Sequence, residues 1–139
     1  MLKFHPEPGT ILVCNFDGFK EPEMVKARPV VVVSPRLKRR HGLLTVAPLS
    51  TLEPDPCMGY HCRIELLQPL PEPFTRTVMW VKADMIYNVG FHRLDLLRTG
   101  RDSTGKRKYL TPKLSQETMV HIQKCVLIGL GMPQLTIHL

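Results

Sequence analysis

The sequence predicts a mainly β protein with one C-terminal helix, in which short strands curve into a small β-barrel. Five or six strand-like segments are separated by tight loops, and one amphipathic helical pattern lies near the end. The 139 residues suffice for one domain over residues 1–139 and are too few for two. Hydrophobic residues make up 43% and charged residues 22%, which argues against a disordered chain.

The first two strands are predicted at residues 10–16 and 28–34, on either side of a polar loop. Residues 30–33 are four consecutive valines, and such a run is typical of a strand that is buried on both faces. Pro29 cannot donate to a ladder, so it fits the beginning of the strand. Arg28 is the first residue of this strand, and a buried strand has no need of a charged side chain at its beginning. Arg28 is therefore the first candidate functional residue.

The remaining strands are predicted at residues 43–49, 60–66 and 76–83, and residues 85–89 continue or follow the last of these. Residues 60–66 alternate between apolar and polar side chains, as a half-buried strand does. The strand at 76–83 is centred on Trp80. Proline-rich loops are predicted at residues 52–59 and 68–74.

Two loops are strongly basic. The net charge is +7 and the pI is about 9.5, which favours an anionic partner, most commonly a nucleic acid. One basic loop is predicted at residues 98–108. The other, at residues 35–42, is expected to contact the phosphates of a nucleic acid through Arg36, Lys38, Arg39, Arg40 and His41.

The helix is predicted at residues 114–131. Ser115 fits the N-cap, and Leu114 and Met119 are spaced as a hydrophobic staple. Gly131, followed by a proline two residues later, ends the pattern. The apolar stripe consists of Met119, Ile122, Val126 and Leu130.

The cysteine pattern predicts reduced thiols. Cys14 and Cys125 lie in apolar segments and are expected in the core. Cys57, His61 and Cys62 resemble half of a zinc site, but no second half follows at suitable spacing, so no metal is expected. The N-terminus resembles no signal peptide and no apolar run could span a bilayer, which favours a cytoplasmic protein without a membrane partner.

Three blocks of sequence resemble the PemK/MazF superfamily of toxin endoribonucleases. They are residues 8–11 (Pro-Gly-Thr-Ile), 28–35 (Arg-Pro-Val-Val-Val-Val-Ser-Pro) and 46–51 (Val-Ala-Pro-Leu-Ser-Thr), with Glu23 five places before the second block. Residues 22–26 and 80–86 resemble a less studied PemK-like branch. The resemblance covers nearly the whole chain. It implies an SH3-like barrel, a homodimer, an acidic antitoxin partner, and metal-independent cleavage of single-stranded RNA in which a 2′-hydroxyl attacks the adjacent phosphate.

That reaction requires a cation for the phosphorane oxygens, a base for the 2′-hydroxyl and a proton for the leaving oxygen. Arg28 suits the first role because its planar fork can pair with two phosphate oxygens. Ser50 matches the catalytic Thr/Ser of the family and can donate a hydrogen bond to the same phosphate. Thr51, beside it, is expected on the RNA surface.

Two carboxylates are candidates for the general base that removes the proton from the 2′-hydroxyl, and the sequence does not decide between them. Glu23 matches a glutamate of the family in the loop before the Arg-Pro strand. Asp84 belongs to Lys82-Ala83-Asp84, which resembles the Arg-x-Asp acid and base of the plasmid-borne branch. Lys82 can still donate a proton, but it cannot grip phosphate with two parallel bonds. Pro22 stands near the position of a catalytic histidine in that branch, so no histidine from this loop is expected to act.

Two alternatives remain. The chain could be a non-catalytic PemK-like nucleic-acid-binding protein, or an inhibitor of DNA gyrase like the CcdB toxins, which share the fold. Arg28 and Ser50 favour the nuclease, whereas Lys82 and the altered first loop leave the binding protein open. Trp80, Tyr60 and Phe74 are candidates for stacking on bases, although an aromatic residue within a strand is more often part of the core.

Overall fold

The computed structural model describes all residues 1–139, and β-strands dominate it. The nine strands are β1 (Ile11–Cys14), β2 (Arg28–Val32), β3 (Leu43–Ser50), β4 (His61–Glu65), β5 (Val78–Lys82), β6 (Tyr87–Gly90), β7 (Leu94–Asp95), β8 (Leu97–Arg101) and β9 (Arg107–Leu110). One α-helix, α1 (Gln116–Gly129), follows them, and short 3-10 turns span Phe91–Arg93 and Pro133–His138. The expected mainly β architecture with one C-terminal helix is confirmed.

Strand β3 is the central strand of an antiparallel sheet with the order β4-β5-β3-β2-β1-β7. One edge of β3 pairs with β2. Its other edge pairs with β6 over Leu43–Val46 and with β5 at Leu49 and Ser50. Because β3 changes partner along its length, the sheet divides into two parts that share this strand.

Strand β2 separates two hydrophobic clusters, as the run of valines predicts. Val30 and Val32 belong to one cluster, with Leu12, Phe16 and Met24. Val31 belongs to the other cluster, against which α1 packs. All three valines of β2 are fully buried, since alternate side chains of a strand point to opposite faces.

The small curved β-barrel that the sequence predicts is not closed in the structure. β4 and β7 are the outer strands of the sheet and do not pair with each other. The space over the β4–β5 part is filled instead by α1, through Met119, Ile122 and Cys125. A helix packed on this face buries the apolar side chains that closure of the sheet would otherwise have to cover.

The helix begins as its sequence predicts. The Ser115 Oγ accepts a hydrogen bond from the Thr118 backbone N–H at 3.2 Å, which confirms the N-cap. Leu114 packs against the cluster that contains buried Met119. The helix ends at Gly129, however, so Leu130 lies past its last turn and is exposed. The predicted stripe is correct for its first three members and wrong for Leu130.

The predicted basic loop at residues 98–108 is instead the hairpin of β8 and β9. Asp102 organises its turn by accepting hydrogen bonds from the backbone N–H groups of Thr104 and Lys106. These hydrogen bonds also lower the pKa of Asp102, and the Thr104 hydroxyl contributes most. Nearly every side chain of the hairpin is exposed, so no apolar alternation revealed these strands. No helix of the chain has the length and apolar character needed to cross a bilayer.

Candidate functional site

A row of side chains crosses the sheet from β4 to β1. Arg63 is paired with Trp80, and Trp80 with Ser50. The β2–β3 register pairs Val30 with Pro48, and its continuation by two residues puts Arg28 opposite Ser50. Paired residues on neighbouring strands carry their side chains on the same face, with Cβ atoms about 5 Å apart. The two strongest sequence candidates, Arg28 and Ser50, are therefore neighbours.

Arg28 is half-buried, and one nitrogen of its guanidinium group has no hydrogen-bond partner in the protein. The Nε atom is buried, and no acceptor in the protein lies within hydrogen-bonding distance. Arg28 takes part in none of the three ion pairs of the structure. On β1 it is paired with Cys14, a fully buried thiol whose pKa burial raises to about 12. Cys14 is therefore a neutral neighbour of this cation.

Ser50 ends β3 in a hydrogen-bonded turn. Its Oγ accepts a hydrogen bond from the Leu52 backbone N–H at 3.2 Å. Its hydroxyl can donate only to the Leu52 carbonyl at 3.5 Å, which is a long and weak bond. The side chain is 5% exposed. Ser50 is thus held in place as an acceptor, while its proton is left available for a better acceptor.

A broad groove lies beside this row. It has a volume of about 840 Å³ and is lined by ten residues, among them Thr51, Arg63, Arg76 and Trp80. The groove combines two exposed arginines with a half-buried indole ring. Cations and an aromatic face together suit a single-stranded nucleic acid, whose phosphates and bases need these two kinds of contact.

Glu23 lies in the loop between β1 and β2, which covers the face of the sheet that carries Arg28. Phe16 and Met24 of this loop are buried in the same cluster as Val30 and Val32. The loop is fastened further by a hydrogen bond from the Met24 backbone N–H to the Tyr87 hydroxyl, at 2.9 Å. The Glu23 side chain is exposed and forms no ion pair. The carboxylate is thus carried by an anchored loop on the relevant face.

Lys82 and Asp84 have different positions at the end of β5. Lys82 is two residues from Trp80 along the strand, so both side chains lie on the same face. Asp84 is in the following turn, against the C-terminal end of α1. The approach is so close that a Cβ added to Gly129 of the helix would lie 3.1 Å from the Asp84 Cα. The helix packs on the opposite face of the sheet. Lys82 therefore shares the face of the sheet that carries Trp80 and Ser50, whereas Asp84 lies against the helix.

The basic loop at residues 35–42 is not part of this arrangement. It joins the end of β2 to the start of β3, whereas Arg28 and Ser50 stand at the other ends of the same strands. Five strand residues separate the two regions by roughly 16 Å. Its basic side chains are all exposed: Arg36, Lys38, Arg39, Arg40 and His41.

The three aromatic residues proposed to stack on bases lie in different parts of the structure. Trp80 lines the groove. Tyr60 instead stacks edge-on against His61, with ring centroids 4.7 Å apart, and Phe74 packs against the larger cluster. Of the three aromatic candidates, Trp80 alone lines the groove beside Ser50.

The cysteines are arranged differently from the partial zinc pattern in the sequence. The His61 Nδ1 accepts a hydrogen bond from the Met58 backbone N–H, and Cys57 is exposed. Cys62 instead faces α1, where a hydrogen bond with Cys125, together with burial, raises its pKa. The group able to hold a metal ion is Cys62, His121 and Cys125, and it lies on the face of β4 opposite to Arg63.

Arg63 and Arg76 line the groove, although nothing in the sequence singles them out. Arg63 alternates with apolar residues in β4, and this pattern is typical of an ordinary charged side chain that faces solvent. Its proximity to Trp80 and Ser50 depends on the order β4-β5-β3, which is a property of the fold. The signal available in the sequence was only that Arg63 shares the polar face of its strand.

Comparison with known proteins identifies the family. The profile described as "PemK-like, MazF-like toxin of type II toxin-antitoxin system" matches residues 7–129. The Escherichia coli (strain K12) protein YifN is 29% identical over 145 residues, covering 91% of this chain and 92% of its own length. An uncharacterised Haemophilus influenzae protein is 37% identical over 102 residues, covering 64% of this chain and 68% of its own length.

Solved structures share the fold. A mycobacterial endoribonuclease in complex with its cognate antitoxin aligns with a TM-score of 0.62 and 22% identity, over 93% of this chain and 98% of its own. MazF from Deinococcus radiodurans aligns with a TM-score of 0.63 and 16% identity, over 94% of this chain and 100% of its own. The profile match covers most of the chain, and the strand that carries Arg28 and the turn that carries Ser50 lie within it. The chain therefore belongs to the PemK-like, MazF-like toxins of type II toxin–antitoxin systems.

Proposed function

We propose that this protein is a toxin endoribonuclease that cleaves single-stranded RNA without a metal ion in the reaction, by attack of a 2′-hydroxyl on the adjacent phosphate. The observation that carries the proposal is the unpartnered Arg28 Nε. A buried donor without an acceptor costs a protein about 1–3 kcal/mol. A small movement of the side chain would bring Nε within reach of a phosphate oxygen, which would satisfy this donor, and the same guanidinium would then offer a second, parallel bond.

Ser50 is proposed to bind the same phosphate. Its hydroxyl proton has only a 3.5 Å contact within the protein, whereas a charged phosphate oxygen would accept a shorter and stronger bond. Arg28 and Ser50 would then contact one phosphate from adjacent strands. Charge that develops on the phosphorane oxygens would be stabilised by groups held by the sheet before reaction.

We assign the general base to Glu23 rather than to Asp84. Glu23 belongs to the loop anchored over the face of Arg28 by Met24. Asp84 is packed against the end of α1. Lys82, on the face that carries Trp80, is proposed to donate the proton to the leaving 5′-oxygen. Each transfer of this kind contributes typically 10²–10⁴ to a rate.

The groove beside Ser50 is proposed to hold the nucleotides that flank the cleaved bond. Trp80 offers a stacking surface, and Arg63 and Arg76 offer two cations for backbone phosphates. Thr51, which follows Ser50 in the chain, lines the same groove. The basic loop at residues 35–42 would hold RNA farther along the strand, as a second contact.

The proposed setting follows from the family. One of the structural relatives is an endoribonuclease in complex with its cognate antitoxin, and an acidic antitoxin would complement the net charge of +7. We propose that the active form is a homodimer with an SH3-like fold in the cytoplasm, where the four reduced cysteines are stable.

A second candidate function is non-catalytic RNA binding. Its support is that lysine stands at position 82 in place of the arginine of the plasmid-borne branch, and that Pro22 stands near the position of the catalytic histidine of that branch. A protein of this kind would use the groove and the basic loop without the chemistry. A gyrase inhibitor, the other alternative, would use neither Arg28 nor the groove for RNA.

The test is cleavage of a long RNA by the purified protein in EDTA. We expect fragments with 2′,3′-cyclic phosphate and 5′-hydroxyl ends, produced by the wild type and reduced at least 100-fold in Arg28→Ala. The matched control is Arg107→Ala, which removes an exposed arginine from the β8–β9 hairpin and should cleave normally. RNA binding without cleavage would favour the non-catalytic function, and gyrase-linked DNA breaks in cells would favour the gyrase inhibitor.

A further inference from the structure

Three metal-binding side chains converge between β4 and α1, on the face of the sheet opposite the groove. Cys62 projects from the core face of β4, and His121 and Cys125 are one helical turn apart on α1. Their ligand atoms all lie within 4.8 Å of one another. The Cys62 Sγ and the His121 Nδ1 are 3.4 Å apart.

These distances suit a tetrahedral zinc ion. Zinc binds thiolate sulfur at about 2.3 Å and imidazole nitrogen at about 2.0–2.1 Å, so a sulfur and a nitrogen on one tetrahedral centre are separated by roughly 3.6 Å. The observed 3.4 Å separation is close to this value. Two sulfur ligands and one imidazole favour zinc over the hard cations magnesium and calcium, which take oxygen ligands.

The cluster also has a route for the ion. Cys62 and Cys125 are buried, whereas His121 is exposed and lines an open depression on α1 with Glu117 and Thr118. An ion could enter past the imidazole ring, and a water molecule could reach it from the same side. Residues four apart on a helix lie on one face, so His121 and Cys125 can approach one ion together.

We propose that Cys62, His121 and Cys125 bind one zinc ion, with water as the fourth ligand, and that this ion fastens α1 to β4. The two thiols lose their protons to solvent on binding, and no oxidation or reduction is involved. Cys62 and Arg63 are consecutive on β4, so their side chains lie on opposite faces of the strand. The site is therefore structural and separate from the proposed RNA chemistry.

The test is titration of the full-length, reduced, metal-free protein with Co²⁺, which reports tetrahedral sulfur ligation by its absorption. We expect one Co²⁺ per chain with sulfur-to-cobalt charge transfer, displacement of the Co²⁺ by Zn²⁺, and a higher Tm with Zn²⁺. His121→Ala and Cys125→Ser should weaken binding at least 10-fold. Cys57→Ser, which removes the exposed cysteine, should bind as the wild type does.

Either of two results would overturn the proposal. One is no stoichiometric uptake by folded, reduced protein, including the case in which Cys62 and Cys125 are found joined in a disulfide. The other is uptake that survives Cys125→Ser and is lost in Cys57→Ser. His121 is exposed, so His121→Ala is expected to fold, as circular dichroism can check. This variant should also cleave RNA normally, so failure of the zinc proposal is distinguishable from failure of the nuclease proposal.

Discussion

At the scale of the residue, Arg28 combines features that stability alone does not explain. The sequence places a guanidinium before a buried strand, and the structure leaves its Nε buried without an acceptor. A donor in this state lowers stability, because its hydration is lost and no protein bond replaces it. Such groups are uncommon in native proteins, and a catalytic role or a bound ion is among the explanations for one that persists.

Replacement of Arg28 by methionine should therefore separate stability from activity. Methionine keeps much of the length of the side chain and removes the unpartnered donor, so we expect Arg28→Met to raise the free energy of unfolding by about 1 kcal/mol. The same change should reduce RNA cleavage at least 100-fold. Urea denaturation and single-turnover cleavage measure the two effects. A variant less stable than the wild type would show that Arg28 serves the fold.

The assignment of the base is tested by two amide substitutions. We expect Glu23→Gln to lower cleavage by about 10²–10⁴ and to remove the decline of the rate toward acidic pH, because the group that must lose a proton is gone. Asp84→Asn is the matched control and should keep both the rate and the pH profile. Pre-steady-state rates over a range of pH provide the measurement. Loss of the pH dependence in Asp84→Asn alone would transfer the role to Asp84.

At the scale of the element, the sequence revealed those strands whose side chains alternate or are wholly apolar. β2 was recognisable from its valines, and α1 from its stripe and from Ser115. The β8–β9 hairpin was not recognised, because it is solvated on both faces and carries no apolar period. The pairing of one edge of β3 with both β6 and β5 is a long-range property, so the proximity of Arg63 to Ser50 could not be predicted either.

The N-cap of α1 should contribute measurably to stability. Ser115→Ala removes the acceptor for the Thr118 backbone N–H, and we expect a loss of about 1 kcal/mol in the free energy of unfolding. Glu117→Ala, an exposed change in the same turn, is the control and should cost less. Urea denaturation measures both. Equal stability of Ser115→Ala and the wild type would mean that this cap is dispensable for α1.

The two basic regions should differ in their effects on RNA. The loop at residues 35–42 is proposed to contact phosphates. The double variant Arg39→Gln with Arg40→Gln, which would remove two such contacts, should reduce the slope of log K against log salt concentration for RNA binding by about 1.4. Since the loop is remote from Arg28, the cleavage rate of saturated enzyme should change little. Arg63→Gln with Arg76→Gln should reduce both the slope and that rate. Binding measured between low and moderate salt, with single-turnover cleavage, distinguishes the two pairs.

At the scale of the whole molecule, one sheet divides the protein into two sides. One side carries Arg28, Ser50, Trp80 and the anchored loop with Glu23, and the other carries α1 and the cysteine–histidine cluster. Because α1 packs on the side opposite to the proposed catalytic groups, a change that loosens α1 is expected to affect stability before it affects those groups.

The central claim is that Arg28 and Ser50 bind one phosphate together, and a double-mutant cycle tests it most directly. Single-turnover cleavage of an RNA with a mapped cleavage site would be measured for Arg28→Ala, Ser50→Ala and the double variant, each verified as folded by circular dichroism. Groups that act as a unit lose activity non-additively. We expect each single change to cost about 10²–10³ in rate, and the double change to cost far less than the product of the two. Losses that multiply, or wild-type cleavage by Ser50→Ala, would contradict the account.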